Sequence, residues 1–187
     1  MLPISDHLKE KTLSTSYLYR GRIINVRQDC VKLNNNEKAF REVVEHPGAV
    51  AVLALNEQEE VILVRQHRQP TGQILLEIPA GKLEPDELPL ECAQRELLEE
   101  TGLVGERWKE ILKFYPSPGF CDEIIYLFLA EILSCAVSPT TDPEENIAIV
   151  KMPLKKAASL IDNGELPDGK TIIALQYIMM HKFSTCH

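Results

Sequence analysis

Positive charge is in short supply: 20 lysines and arginines against 28 aspartates and glutamates leave a formal net charge of -8 over 187 residues. Broad binding to DNA or RNA through phosphates needs a basic surface, so that class of function is excluded. Any anionic ligand must then be met by local basic groups or by cations. Cysteine is sparse as well. Cys30, Cys92, Cys121, Cys135 and Cys186 are odd in number, widely spread and without a CxxC pair, which argues against a disulfide framework and against a zinc site. Long apolar runs are also missing. The stretch from Met1 is polar, and IIYLFLA from Ile124 is too short to span a bilayer, so no membrane partner is expected and a cytoplasmic location is.

What is there suits a globular enzyme. Hydrophobic residues make up 44% of the chain and charged ones 26%, and the length suffices for one domain with a full core and a small extension. From Tyr17 to Val44 short strands are expected, YLYRGRIINV, DCVKL and AFREVVE, with Gly21 and Asn34 to Asn36 supplying turns. GAVAVLAL and VILVRQ then read as a well-buried hairpin, followed by a strand QILLEIP from Gln73. A helix is expected from about Glu87 to Glu100, with Pro89 in its first turn and Gly102 as its stop. Strands near Lys109 to Tyr115 and Glu123 to Leu133 precede an acidic loop, SPTTDPEEN, and a strand IAIVKM. Two helices, from about Leu154 to Asn163 and Lys170 to Lys182, close the order. Such an order builds a mixed sheet with helices on its faces, an α/β arrangement of the α+β mixed-sheet kind.

The chemistry concentrates in GKLEPDELPLECAQRELLEETGL. At about 100° per residue Glu96 and Glu100 lie roughly 40° apart, with Glu99 about 60° to the other side of Glu96. Leu90, Ala93 and Leu97 mark the apolar stripe, and Glu96 and Glu100 fall at its edge. Carboxylates crowded beside a core repel one another unless cations intervene, and hard divalent ions favour such oxygen ligands and phosphate oxygens alike. The competing interpretation is a solvated helix laced with salt bridges, since Arg95 stands four residues from both Glu91 and Glu99.

The spacing Gly81, Glu87, Arg95-Glu96-Leu97, Glu99-Glu100, Gly102-Leu103 resembles the signature of the Nudix hydrolases at every defined position. The resemblance implies a Nudix α/β/α sandwich (residues 46–187) behind an N-terminal antiparallel β extension (residues 1–45). It implies Glu96, Glu100 and the Ala80 carbonyl as metal ligands, Glu99 as a ligand or close support, Arg95 as their orienting ion-pair partner, and two or three Mg2+ ions, or Mn2+, per site.

Segments outside this signature are similar to the ADP-ribose pyrophosphatase branch. Pro118 follows Gly102 by sixteen residues within YPSPGFCDE, where Ser117 to Gly119 would shape a substrate loop and Glu123 touch the substrate. In REVVEHPGAVAVLAL and VRQHR the resemblance gives Arg41 and Arg65 to the nucleotide sugar, and it adds Leu83 to the substrate contacts. Guanidinium groups suit diphosphate oxygens, although as isolated residues both read as surface charges. In TTDPEENIAIV the general base falls on Glu145, with Glu144 in reserve. The implied reaction is Mg-dependent cleavage of ADP-ribose to AMP and ribose 5-phosphate. Alternatives are another nucleoside diphosphate derivative, or a non-catalytic ADP-ribose sensor. The N-terminal strands, poor in large apolar residues, are expected to pair two chains into a homodimer. His67 and the tyrosines Tyr17 and Tyr19 read first as structural, with a place near the ligand as the alternative.

Overall fold

The computed structural model of the chain describes residues 8–136 and 146–183. They fall into two compact units, one holding the chain up to Gly48 together with Ser117–Glu123, the other Ala49–Pro116 and the chain from Ile124 onward.

The first unit is a three-stranded antiparallel sheet in the order β1 (Lys11–Arg20), β2 (Asn25–Lys32), β3 (Lys38–Glu45). β1 starts well before the expected Tyr17, because KTLSTS offers no apolar alternation from which a strand is read. Gly21 donates its N–H to the Ile24 carbonyl (2.9 Å) and turns the chain into β2. The loop at 117–123 is sewn to β3: Val44 N–H donates to the Phe120 carbonyl (2.7 Å), and Asp122 N–H to the Val44 carbonyl (3.1 Å). Among the described residues Val31 is the one apolar side chain of this unit that is fully buried, and β1 is exposed along its whole length.

The second unit carries a mixed sheet in the order β10-β5-β4-β9-β8, with β6 on β5 and β7 on β4. Its strands are β4 (Ala49–Leu55), β5 (Glu60–Arg68), β6 (Gln73–Glu77), β7 (Ala80–Lys82), β8 (Leu103–Phe114), β9 (Ile125–Cys135) and β10 (Ile147–Pro153). β4 runs parallel to β9, and the other pairs are antiparallel. The unbroken apolar run of β4 follows from cover on both faces. Ala51, Leu53 and Leu55 pack with Val61 and Leu63 against α2 (Leu154–Asp162) and α3 (Gly169–Phe183), whereas Val50, Val52, Ala54 and Ile62 pack against α1 (Pro89–Thr101). Each buried Leu or Val contributes about 1.5–3 kcal/mol. The result is the sandwich of helix, sheet and helices that the sequence implied.

α1 starts with Pro89 in its first turn and stops at Gly102, whose φ of 70° is the left-handed cap that a side chain would strain. β8 begins immediately after it, ahead of the expected Lys109, since this edge strand is too exposed to show an apolar pattern. Among the described residues no helix is long and apolar enough to cross a membrane.

Candidate functional site

α1 presents its carboxylates differently from the wheel. Its buried stripe is Cys92, Ala93, Leu97, Glu100 and Thr101, while Leu90 is 40% exposed. Glu100 therefore lies within the dry face, not at its edge, and is only 4% exposed. An ionised carboxylate at such a depth needs donors or cations. One donor is the Ala80 N–H, 3.2 Å from Glu100 Oε2.

Arg95 is the hub of the cluster. Its Nε and Nη2 grip the two Glu87 oxygens at 2.8 and 3.0 Å, and its Nη1 donates to Glu96 Oε1 (2.7 Å) and Glu99 Oε2 (3.0 Å). Nη2 also reaches the Lys82 carbonyl at 3.2 Å, which ties the helix to the end of β7. The fork on Glu87 outweighs burial and pulls that carboxyl down to about 2, and it raises the Arg95 guanidinium in turn. Cys92, buried beneath them, is pushed up by burial and by Glu87, so it is an inert thiol and not a nucleophile. The salt-bridged helix and the carboxylate cluster are thus the same object. Glu91 is not in it.

The surroundings of Gly81 explain why the signature needs a glycine there. A Cβ built at this position would collide with the Glu96 carboxyl, so the missing side chain is the seat of that carboxylate. Among the described residues no three His, Cys, Asp or Glu side chains stand together as a ready ligand cage. Glu96 and Glu99 are both turned to Arg95. The donor chemistry nonetheless fits a hard divalent cation: carboxylate and carbonyl oxygens from Glu96, Glu99, Glu100 and Ala80, with the Glu96 seat left open by Gly81.

A second polar cluster escaped the sequence reading. Glu77, 1% exposed at the end of β6, accepts two hydrogen bonds from Arg68 at 2.8 Å each and pairs with Lys170 at the start of α3. Burial pushes its carboxyl up, but the bonds and charges of Arg68 and Lys170 outweigh this and hold it below the usual range. The visible signal was a lone glutamate inside the apolar run QILLEIP.

The substrate residues divide. Leu83 packs against the core beside α1. Arg65 is exposed on β5, across from Leu76 of β6, and its neighbour Arg68 is engaged by Glu77. In the first unit Arg41 is held by Glu10 (3.0 and 2.5 Å), and Pro118 is exposed in a turn closed by Cys121 N–H to the Ser117 carbonyl (3.0 Å). Glu123 Oε1 lies 3.7 Å from His46 Nδ1, a nitrogen that also accepts the Gly48 N–H (3.1 Å). Since that nitrogen is serving as an acceptor, the bond to Gly48 outranks an ion pair with Glu123. Tyr17 donates to Glu45 Oε1 at 3.2 Å and carries the Arg20 guanidinium over its ring. His67 is exposed on β5. Glu144 and Glu145 lie outside the described residues.

Comparison with known proteins agrees with this geometry. The NUDIX domain profile matches residues 45–175, and that of the nucleoside diphosphate sugar hydrolase N-terminal domain matches residues 10–44. The chain is 41% identical to an ADP-ribose pyrophosphatase of Bacillus subtilis (strain 168), over 92% of this chain and 94% of that protein. It is 39% identical to a methanol dehydrogenase activator of Bacillus methanolicus, over 93% and 95%. With a GDP-mannose pyrophosphatase of Enterobacter sp. (strain 638) it shares 32% over 92% and 94%. A crystal structure of an ADP compounds hydrolase superposes with a TM-score of 0.83 at 21% identity, covering 95% of this chain and 96% of that one, and so shares the fold. The carboxylates gathered on α1, the glycine that seats one of them and the profile across most of the length place this chain in the Nudix family.

Proposed function

We propose that this chain hydrolyses the diphosphate of ADP-ribose to AMP and ribose 5-phosphate. The observation that carries the reading is the complete carboxylate set on α1, Glu96 and Glu99 held by Arg95 and Glu100 by the Ala80 N–H, with Glu96 seated at Gly81. A non-catalytic sensor has no need of that set. Nudix hydrolases generally need a divalent metal. Two or three Mg2+ ions, with Mn2+ as a substitute, held by these carboxylates and the Ala80 carbonyl, would neutralise phosphate charge and acidify a water.

The chain's own residues do the rest. Arg95 holds Glu96 and Glu99, and the Ala80 N–H holds Glu100, which limits the freedom of the ligand carboxylates. Glu145 takes the proton of the attacking water and aims it at phosphorus. Arg41, Arg65, Leu83, Pro118 and Glu123 hold the nucleotide sugar. Release of AMP from ADP-ribose, in a panel with GDP-mannose, NADH and a dinucleotide, tests the substrate. Preference for GDP-mannose would favour the second reading, which rests on the GDP-mannose pyrophosphatases among the relatives. Glu145→Gln should lower kcat strongly and leave KM nearly unchanged; an effect confined to KM would make it a binding residue.

The N-terminal β extension (residues 1–45) pairs two chains into a homodimer. Its support is the outward display of Leu13, Tyr17, Leu18 and Tyr19 along a strand that buries nothing of its own.

A further inference from the structure

The run from Glu77 to Gly81 is anchored at every residue, and from both faces of the sheet. On the α3 side, Lys170 pairs with the Glu77 carboxylate, and the Ile78 N–H donates to Thr171 Oγ1 at 2.8 Å. In the middle, the Pro79 carbonyl accepts the Val52 N–H at 2.8 Å. On the α1 side, the Ala80 N–H donates to Glu100, and Gly81 seats Glu96. Asp168 gathers the α3 end: its carboxylate accepts from Lys170 Nζ (2.9 Å), from the Thr171 N–H (3.0 Å) and from the Thr171 hydroxyl (2.5 Å). Arg68 and Lys170 balance Glu77 and Asp168, so the network is neutral.

We propose that Thr171 and Lys170 are positioning residues for the divalent-cation site, acting through residues 77–81 on Ala80, Glu96 and Glu100. The inference rests on the metal-site reading above. Stability alone is a poor reason for this network, because burying paired charges costs several kcal/mol per ion in desolvation and apolar packing does as well. What a saturated buried network supplies is a fixed geometry. Thr171 is fully buried, and its hydroxyl spends its proton on Asp168 and a lone pair on Ile78. Ile78 stands two residues ahead of the Ala80 carbonyl, and the Pro79 between them is held by the Val52 N–H, so a shift at one is passed to the other with little slack.

The test is Thr171→Val, which keeps the shape and removes the hydroxyl, beside Thr171→Ser, which restores it. Mn2+ affinity is read by paramagnetic resonance without substrate, and amide hydrogen exchange at Ile78 and Ala80 without added metal. Thr171→Val should weaken Mn2+ binding by about tenfold, as loss of a group that orients ligands does, and speed exchange at both amides. At saturating Mg2+ its kcat should stay near wild type, and Thr171→Ser should recover the affinity. If Thr171→Val melts at lower temperature yet binds Mn2+ as wild type does, Thr171 is structural and the proposal falls. Should Thr171→Val fail to fold, Lys170→Met is read by the same arms. Failure of the underlying reading has a different signature: Glu96→Gln would then bind Mn2+ as tightly as wild type, or wild type would bind none, and the proposal would fall with it.

Discussion

Gly81→Ala separates fold from function more sharply than any substitution of a charged residue. The φ of Gly81 is not in the left-handed region, so alanine is allowed there by the backbone, and the restriction it places on the unfolded chain favours folding by about 0.4–1 kcal/mol. Against this stands the collision of the new Cβ with the Glu96 carboxyl. That carboxyl is the free end of a side chain, and it escapes by rotating away from the strand. Escape breaks its 2.7 Å contact with Arg95 Nη1, a partly exposed ion pair worth about 0.2–1 kcal/mol. The two contributions nearly cancel, so the melting temperature should move by only a few degrees. Activity should not be spared. A ligand displaced by on the order of an ångström costs about a hundredfold in rate. Release of AMP from ADP-ribose at several Mg2+ concentrations, with a thermal melt of the same sample, checks both halves. Activity within about twofold of wild type at limiting Mg2+ would refute the reasoning, since the Glu96 seat would then be irrelevant to turnover.

Glu100→Gln keeps the shape and an acceptor for the Ala80 N–H but loses the charge, so it should abolish turnover with a normal circular dichroism spectrum; near wild-type activity at saturating Mg2+ would remove it from the metal ligands. Acid should destabilise the chain through Glu77 and Glu87, whose carboxyl pKa values are both lowered by folding, that of Glu87 to about 2. Each contributes fully above the unfolded value near 4.5 and loses its contribution as the pH falls through the folded value. Urea midpoints should therefore drop mainly below that pH, and by less in Glu87→Gln; a flat profile down to pH 3 would contradict the pairing. Light scattering at micromolar concentration should give the mass of two chains, and Leu18→Asp on the exposed β1 should halve it; a single-chain mass for wild type would count against the dimer.

The sequence announces what is local and hides what depends on register or on distant partners. GAVAVLAL has no alternation because both faces of β4 are covered, and Pro89 and Gly102 mark the ends of α1 through backbone chemistry that needs no neighbour. The carboxylates of α1 were legible by spacing, yet the depth of Glu100 was not. The wheel puts Glu100 at the edge of the apolar stripe, while the chain buries it against the Ala80 N–H. Glu77 lies between these cases. A lone carboxylate in an apolar strand demands cations wherever the chain can supply them. That demand was readable in QILLEIP, but its answer, Lys170, stands 93 residues away and is brought there only by the packing of α3 on the sheet. Such a residue is therefore the place to look for structure that serves the site from outside it, because a buried ion pair is by itself a weak source of stability.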